Sequence, residues 1–155
     1  MTRTGLIIVA TAGSFLLLAG AFMFQALGWA PCKLCLWQRW PHAVAIGIGA
    51  VFLIGLNLRV LPILGAIAAL GTAGIGIYHS GVERKFWQGP STCTSSGSLD
   101  GLDSMALLPG AAQDTPALVL CDQFTPFFLN LTMANWNAII SLGLVAVWLM
   151  AWRRA

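Results

Sequence analysis

Two cysteines separated by two residues, Cys32 and Cys35, are the part of this sequence best suited to chemistry. Their sulfurs can close a small disulfide ring, and because that ring is short its closure stabilises a fold only slightly. Pairs with this spacing are typical of sites that cycle between thiol and disulfide. A passive disulfide staple is the alternative interpretation. The position of the pair, at the start of an apolar stretch, favours redox chemistry.

The two sulfurs are not equivalent if the segment is helical. Cys35 then lies about 4.5 Å further along the axis than Cys32, at the usual rise per residue. The positive end of the helix dipole stabilises a thiolate there. Arg39, four residues after Cys35, would share its helix face and hold its charge beside the sulfur. We therefore expect a lipid-soluble acceptor to reach Cys35 and a mobile loop disulfide to reach Cys32, as in a relay.

The two remaining cysteines, Cys93 and Cys121, lie in one polar stretch. Considered alone, they favour a structural disulfide, which would contribute about 3–4 kcal/mol by the chain-entropy estimate. A zinc site is disfavoured because the sequence has no second Cys-x-x-Cys, and no metal site is predicted. Haem attachment is excluded because Leu36 stands where a histidine would be needed.

The elements that must position these cysteines are membrane helices. Of the 155 residues, 58% are hydrophobic and 8% charged, whereas a soluble domain carries about 25% charged residues. A helix needs about 20 apolar residues to cross a bilayer. Four stretches without Asp, Glu, Lys or Arg are candidates, at about 5–27, 41–56, 61–78 and 136–152. We predict a single all-α domain, residues 1–155, folded as a four-transmembrane-helix bundle.

Two features of the apolar stretches refine this prediction. The second stretch is short, so its helix is expected to begin upstream, nearer Cys32. The first could be a cleaved signal peptide, but its apolar run exceeds the roughly 7–15 residues of a signal sequence. The scattered net charge of +3 forms no basic stripe that would bind nucleic acid.

Four spans place both termini on one side and the loops at about 28–40 and 79–135 on the other. All five acidic residues fall in the longer loop, whereas the basic residues near the termini lie in short segments. The positive-inside rule therefore predicts cytoplasmic termini and cysteines on the oxidising outer side. Apolar residues at helical spacing predict a short interfacial helix near residues 99–106, with a plain amphipathic turn as the alternative.

The residues around the cysteine pair resemble the first-loop signature of the disulfide bond formation protein B (DsbB) family. The signature is Pro-Cys-x-x-Cys-x-x-Gln-Arg, from Pro31 to Arg39. Further matches follow in order along essentially the whole chain: Tyr78-His79, Gly81-Val82-Glu83, Gly89-Pro90-Ser91-Thr92-Cys93, Cys121-Asp122 and Met133-Ala134-Asn135-Trp136-Asn137.

This resemblance implies a dithiol:quinone oxidoreductase of the bacterial inner membrane. Its partner would be DsbA, a thioredoxin-like periplasmic disulfide donor, which the enzyme reoxidises. Reduced DsbA would attack the loop disulfide at Cys93, leaving Cys93 and Cys121 reduced. Cys121 would then exchange with Cys32 and free Cys35 as a thiolate. Cys35 would donate electrons to a bound ubiquinone or menaquinone, and the short pair would close again.

The resemblance also assigns residues around the quinone. Arg39 matches an arginine beside the quinone, where it stabilises negative charge. His79 matches a histidine near the quinone ring, although an interfacial histidine that caps a span is an equal alternative. His42, next to Pro41, is expected to be interfacial. Gln38 receives no catalytic role, because some family members have glutamate at this position.

Two other functions compete with this one. A vitamin K epoxide reductase-like protein also combines four helices, two cysteine pairs and a quinone. Its active Cys-x-x-Cys comes late in the chain, whereas Cys32 and Cys35 come early. A non-enzymatic, disulfide-stapled tetraspan assembly factor would bind no quinone, and Cys35→Ala would then lower its stability without affecting any turnover.

Overall fold

The computed structural model describes residues 1–90 and 120–154 of the chain. These residues form four α-helices: α1 (Arg3–Ala26), α2 (Lys33–Leu53), α3 (Leu61–Glu83) and α4 (Met133–Arg153). Extended pairing in the described residues is limited to one isolated bridge between Phe128 and Leu131. The prediction of an all-α protein with four long helices is thus confirmed. The interfacial helix predicted near residues 99–106 lies outside the described residues.

Three of the helices, α1, α3 and α4, are long and apolar enough to cross a membrane. Helix α2 is of similar length, but its first two turns carry the polar side chains of Lys33, Gln38 and Arg39. The apolar stretch predicted for this span begins only at residue 41. That α2 crosses the membrane as a fourth span therefore stays a prediction. The polar half of α2 faces the site described below.

Helix ends differ from the ends of the apolar stretches wherever polar residues continue or cap the helix. Helix α2 begins upstream, as expected, because Cys32 is its N-cap and accepts a hydrogen bond from the Cys35 backbone N–H at 3.3 Å. Helix α3 continues beyond residue 78 to Glu83, which brings His79 and Glu83 onto one helical face. Helix α4 begins earlier than predicted because the Thr132 side chain caps it.

The four helices pack in a ring, each against two others, in the order α1, α2, α3, α4 and back to α1. Hydrogen bonds hold both termini and the α2–α3 turn together at one end. Arg3 donates to the Leu58 carbonyl at 2.9 Å and to the Asn57 side chain. Arg154 donates to the Met1 carbonyl. The start of α2, which carries the cysteine pair, consequently lies at the opposite end of the bundle.

The most extensive contact, between α3 and α4, depends on small residues. The Trp148 side chain is 0% exposed and lies against Gly65, where a Cβ would be 2.6 Å from the indole ring. Small residues allow membrane helices to approach this closely. The core around this contact consists mainly of Leu6, Ile7, Ala10, Phe52, Ala69 and Leu144.

A methyl group added at Gly65 is expected to destabilise the bundle. Overpacking a filled core costs about 1–3 kcal/mol, which outweighs the gain in helix propensity of up to about 1 kcal/mol from replacing glycine. Gly74→Ala on the same helix is the matched control, because a Cβ there meets nothing within 4 Å. Thermal unfolding in detergent measures the difference. Equal or higher stability of Gly65→Ala relative to Gly74→Ala would contradict the close packing.

Candidate active site

A cavity of about 350 Å³ opens where α2 begins and extends between α1, α2 and α4. This volume falls within the usual range for small-molecule sites. One wall is apolar and comes from α1 and the segment before α4, including Leu16, Leu17, Phe24 and Phe127. The side chains capable of chemistry line the other wall: Cys32, Cys35, Arg39, His42, His79 and Cys121.

The cysteine pair sits at the first turn of α2 with its sulfurs 2.9 Å apart. Both residues are free thiols; Cys32 is buried and Cys35 is half-buried. A disulfide bond is about 2.05 Å long, so a movement of less than about 1 Å closes the ring. The pair is therefore already arranged for oxidation without any change in the helix.

Of the two thiols, Cys32 is the one that holds its proton more tightly. The hydrogen bond to Cys35, reinforced by burial, raises the pKa of the Cys32 thiol. Cys35 accepts this hydrogen bond, so it is the sulfur better able to carry negative charge. Cys35 is also the sulfur that a lipid-soluble acceptor is expected, from the sequence, to reach, because it lies further along the helix than Cys32.

His79 connects the pair to a polar network inside the bundle. Its Nε2 lies 3.5 Å from Cys32 Sγ and 3.6 Å from a Glu83 carboxylate oxygen. On the other side of the ring, the amide nitrogen of Gln38 lies 3.0 Å from Nδ1. Because an amide N–H donates to Nδ1, the ring hydrogen is on Nε2. The ring N–H thus lies on the side of the site that holds Cys32 Sγ, the Glu83 carboxylate and the Cys121 backbone, with which the ring also forms a hydrogen bond.

Gln38, which received no role from the sequence, is buried and orients this histidine. Its side-chain oxygen accepts a hydrogen bond from Asn137 at 2.6 Å, and its backbone carbonyl accepts one from Thr72 at 3.2 Å. Asn137 also accepts a hydrogen bond from His42 Nε2 at 2.9 Å. A continuous polar chain therefore leads from His79 through Gln38 and Asn137 to His42.

The expectation that His42 is interfacial was wrong. Its side chain is 3% exposed and faces the inside of the bundle. The reason is that α2 begins at Lys33, so His42 lies one turn beyond Gln38 on the same face. His42 Nδ1 is buried and has no hydrogen-bond partner among the described residues. The spacing of Cys35, Gln38 and His42 along one helix was the signal available in the sequence.

Glu83 is a second polar residue whose place the sequence did not predict. Its carboxylate is buried and accepts a hydrogen bond from the Thr132 hydroxyl at 2.6 Å. Thr132 is the residue that caps α4, so this bond joins the end of α3 to the start of α4. The four-residue spacing from His79 would have placed the carboxylate beside the imidazole, had α3 been expected to extend that far.

Arg39 lines the same cavity as Cys35 but makes its hydrogen bonds with α1. Its guanidinium donates to the Gln25 side chain at 2.7 Å and to the Ala21 carbonyl at 3.4 Å. It also lies over the Phe22 ring, 4.7 Å from the centroid. Its Nε–H is buried and has no partner in the described part of the chain. The positive charge is thus fixed at the cavity wall with one donor unused.

Cys121 is 1% exposed and packs with Cys32, Leu34 and Val82 in a small buried cluster. Its thiol is free. Cys93, its predicted partner, lies outside the described residues. The structure therefore brings together three of the four predicted site cysteines. Cys121 contacts the short pair although it is far from it in the sequence.

These features define the class of the protein: a helical membrane protein with a buried thiol site at one end of its bundle. The family model for disulfide bond formation protein DsbB matches residues 3–151. The chain therefore belongs to the DsbB family and is a membrane protein of disulfide bond formation.

Individual relatives agree with the family match. The chain is 30% identical over 135 residues to a disulfide bond formation protein B of Dechloromonas aromatica (strain RCB), an alignment that covers 84% of this chain and 80% of that protein. It is 27% identical over 144 residues to a protein of the same name from Saccharophagus degradans, with coverage of 85% and 81%. No solved structure gives a significant match.

Proposed function

We propose that the protein is a dithiol:quinone oxidoreductase that reoxidises a periplasmic, thioredoxin-like disulfide donor of the DsbA type. The observation that carries this proposal is the position of the Cys32–Cys35 pair on the wall of a largely apolar cavity that also contains unpartnered polar atoms. Membership of the DsbB family supports the direction of the reaction, toward disulfide formation.

The side chains around the cavity suit a quinone, either ubiquinone or menaquinone. The unused Nε–H of Arg39 can donate to a quinone oxygen, and His42 Nδ1 can accept from a quinol hydroxyl. The apolar wall from α1 suits the ring and the attached hydrocarbon chain. A bound quinone would supply an acceptor for two electrons and two protons.

The first half of the proposed cycle takes place at the loop disulfide between Cys93 and Cys121. A partner thiolate attacks Cys93 Sγ, which breaks the loop S–S bond and forms a mixed disulfide. The second partner thiol attacks this bond, so the partner leaves as a disulfide. Cys93 and Cys121 then hold the two electrons and, after protonation, the two protons of the partner dithiol.

The second half transfers these electrons to the short pair. Cys121 attacks Cys32 Sγ, the Cys32–Cys35 bond breaks, and Cys35 leaves with the electron pair. Cys93 then attacks Cys121, which restores the loop disulfide and releases Cys32. The burial of Cys121 against Cys32 supports this order. Cys32 and Cys35 close again as two electrons and two protons pass to the quinone.

His79 has a positioning role in this scheme. Its Nε2 lies 3.5 Å from Cys32 Sγ, so the hydrogen on this nitrogen, which also reaches the Cys121 backbone, would stabilise negative charge on Cys32 when Cys93 releases that sulfur. Gln38 fixes the required tautomer by donating to Nδ1. Glu83, beside Nε2, favours the same orientation of the ring.

Gln38→Leu is expected to lower kcat about 10-fold, because a lost buried hydrogen bond is worth about 1–3 kcal/mol, while the KM for quinone changes little. Gln38→Glu keeps the size of the side chain, but its carboxylate only accepts hydrogen bonds and would draw the ring hydrogen to Nδ1, so it should not recover the rate. Steady-state kinetics with a short-chain quinone measure both parameters. A wild-type kcat in Gln38→Leu would remove Gln38 from the mechanism.

His42→Leu is expected to act on the quinol rather than on the quinone. Nδ1 can accept a hydrogen bond only from a quinol hydroxyl, because the ring hydrogen is on Nε2, where Asn137 accepts it. The loss of this bond should raise the inhibition constant of the quinol product about 10-fold, which corresponds to about 1.4 kcal/mol, with a smaller effect on the KM for quinone. Val44→Leu, on an exposed part of the same helix, is the control. Unchanged product inhibition in His42→Leu would show that quinol does not use this nitrogen.

The orientation in the membrane follows from the position of the chain ends. Both termini lie at one end of the bundle, which requires an even number of crossings. Because α1, α3 and α4 have the properties of spans, we infer that α2 crosses as well. Basic residues are equally numerous on the two sides, but those on the side of the termini lie in short segments without acidic residues. We therefore infer that the termini are in the cytoplasm and the cysteines in the periplasm of the bacterial inner membrane. A periplasm-specific reporter fused after Arg154 should be inactive, and an active fusion would reverse the orientation.

The proposed function is tested with the purified protein in detergent. A reduced thioredoxin-like donor and a short-chain quinone are added, and quinone absorbance and donor thiols are followed together. We expect equal amounts of quinone reduced and donor disulfide formed. Failure with both ubiquinone and menaquinone analogues, and with several donors, would favour the stapled assembly factor.

A further inference from the structure

The short cysteine pair and His79 together form a group with the composition of a metal site. Cys32 Sγ, Cys35 Sγ and a ring nitrogen of His79 all lie within 4.8 Å of one another. Two thiolates and an imidazole are typical ligands of thiophilic cations such as Zn²⁺. The sequence did not indicate this site, because His79 is on a different helix and only the fold brings it to the pair.

The distances are close to those that a tetrahedral ion requires. Zn–S bonds of about 2.3 Å and Zn–N bonds of about 2.0–2.1 Å place sulfur and nitrogen about 3.6 Å apart. Cys32 Sγ and His79 Nε2 are 3.5 Å apart. The two sulfurs, at 2.9 Å, would need to separate to about 3.8 Å. Cys35 is half-buried at the cavity wall, so a small side-chain rotation provides this movement.

The surrounding residues can support a bound ion. With Nε2 on the metal, Nδ1 carries the hydrogen. Gln38 can accept this hydrogen by turning its amide oxygen from Asn137 to the ring, and the Asn137 amide keeps its hydrogen bond to Thr72. Glu83, 3.6 Å from Nε2, can accept a hydrogen bond from a water in the fourth position. The ligands thus have the second layer of hydrogen bonds that metal-binding histidines usually possess.

We propose that the reduced protein binds one Zn²⁺ ion through Cys32, Cys35 and His79, and that the oxidised protein does not. Binding displaces the two thiol protons and leaves both sulfurs reduced. Once Cys32 and Cys35 have formed a disulfide, neither sulfur is a thiolate and the site is lost. In terms of the proposed function, zinc is then a reversible inhibitor that traps the electron-loaded state and blocks transfer from Cys35.

The test is an anaerobic titration of the reduced, desalted protein in detergent with Co²⁺ as the optical probe, followed by displacement with Zn²⁺. We expect one ion per chain with thiolate charge-transfer and tetrahedral ligand-field bands, and no such bands after oxidation. His79→Ala should weaken binding at least about 100-fold, more than the loss of an outer partner. His42→Ala, in the same cavity but outside the ligand group, should bind as the wild type does.

A second measurement avoids dependence on variants. Zn²⁺ should protect Cys32 and Cys35 from alkylation in the wild-type protein, and a chelator should restore their reactivity, as read by peptide mass. Lack of protection, equal binding to the oxidised protein, or undiminished binding in His79→Ala would overturn the metal site. These results leave quinone reduction untouched, whereas a protein that binds zinc but never reduces quinone would overturn the proposed function alone.

Discussion

Cys35→Ala is expected to abolish quinone reduction, with a loss of at least about 10³-fold, as for other residues that react directly. The reason is that Cys35 is the less buried of the two sulfurs on the cavity wall and, in the proposed relay, is released when Cys121 attacks Cys32. Without it, the short pair can neither accept the electrons nor close a disulfide. Quinone absorbance, with a reduced thioredoxin-like protein as donor, measures the effect.

Cys35→Ser is the matched control for folding, because serine keeps the size of the side chain but not its redox chemistry. It should unfold at nearly the wild-type temperature and yet be as inactive as Cys35→Ala. Normal turnover in either variant would contradict the relay. The pair would then be a structural staple, as in the non-enzymatic alternative.

The second large effect is expected for Cys121→Ser, and it should depend on the electron donor. With a protein donor, turnover should fall at least about 10³-fold, because no thiol remains to attack Cys32. With a small dithiol that enters the cavity, quinone reduction should continue at close to the wild-type rate. Serine replaces one sulfur in the cluster around Cys32 but leaves the Cys32–Cys35 pair itself intact, so only the path from the donor is expected to be lost.

Cys93→Ser should have the same donor dependence, because the proposal places Cys93 and Cys121 in one disulfide. Comparison of the two donors separates loss of the relay from loss of the fold. Wild-type turnover of Cys121→Ser with the protein donor would exclude Cys121 from the relay. Failure with both donors would mean that the buried Cys121 is needed to hold the site together.

The four helices could be predicted because apolar length is a property of local sequence. The early start of α2 was also predictable, since its apolar stretch is too short for a full span. The polar ends of the helices were harder to predict. Helix α3 continues through His79 to Glu83 because Glu83 is satisfied by Thr132 from the next helix, and no local pattern reports such a partner. The proposed fourth crossing, by α2, rests on the position of both termini at one end of the bundle.

The polar chain inside the bundle could not be predicted, because it depends on how each helix is rotated. That rotation is set by tertiary contacts such as Trp148 on Gly65, which composition does not reveal. Arg39 illustrates the limit: helical spacing put it on the face of Cys35, but its hydrogen bonds go to α1. His42 and Gln38 acquire their places only when α2, α3 and α4 come together.

The most direct test of the central claim is a single-turnover reaction without any protein donor. The protein is reduced, freed of reductant under anaerobic conditions and mixed with one equivalent of short-chain quinone. The account predicts that about one quinone is reduced per protein. Peptide mass mapping should find one new disulfide, which lies at Cys32–Cys35 in a Cys121→Ser variant and, after the internal exchange, at Cys93–Cys121 in the wild type. Unreduced quinone, with Cys32 and Cys35 still present as thiols, would contradict it.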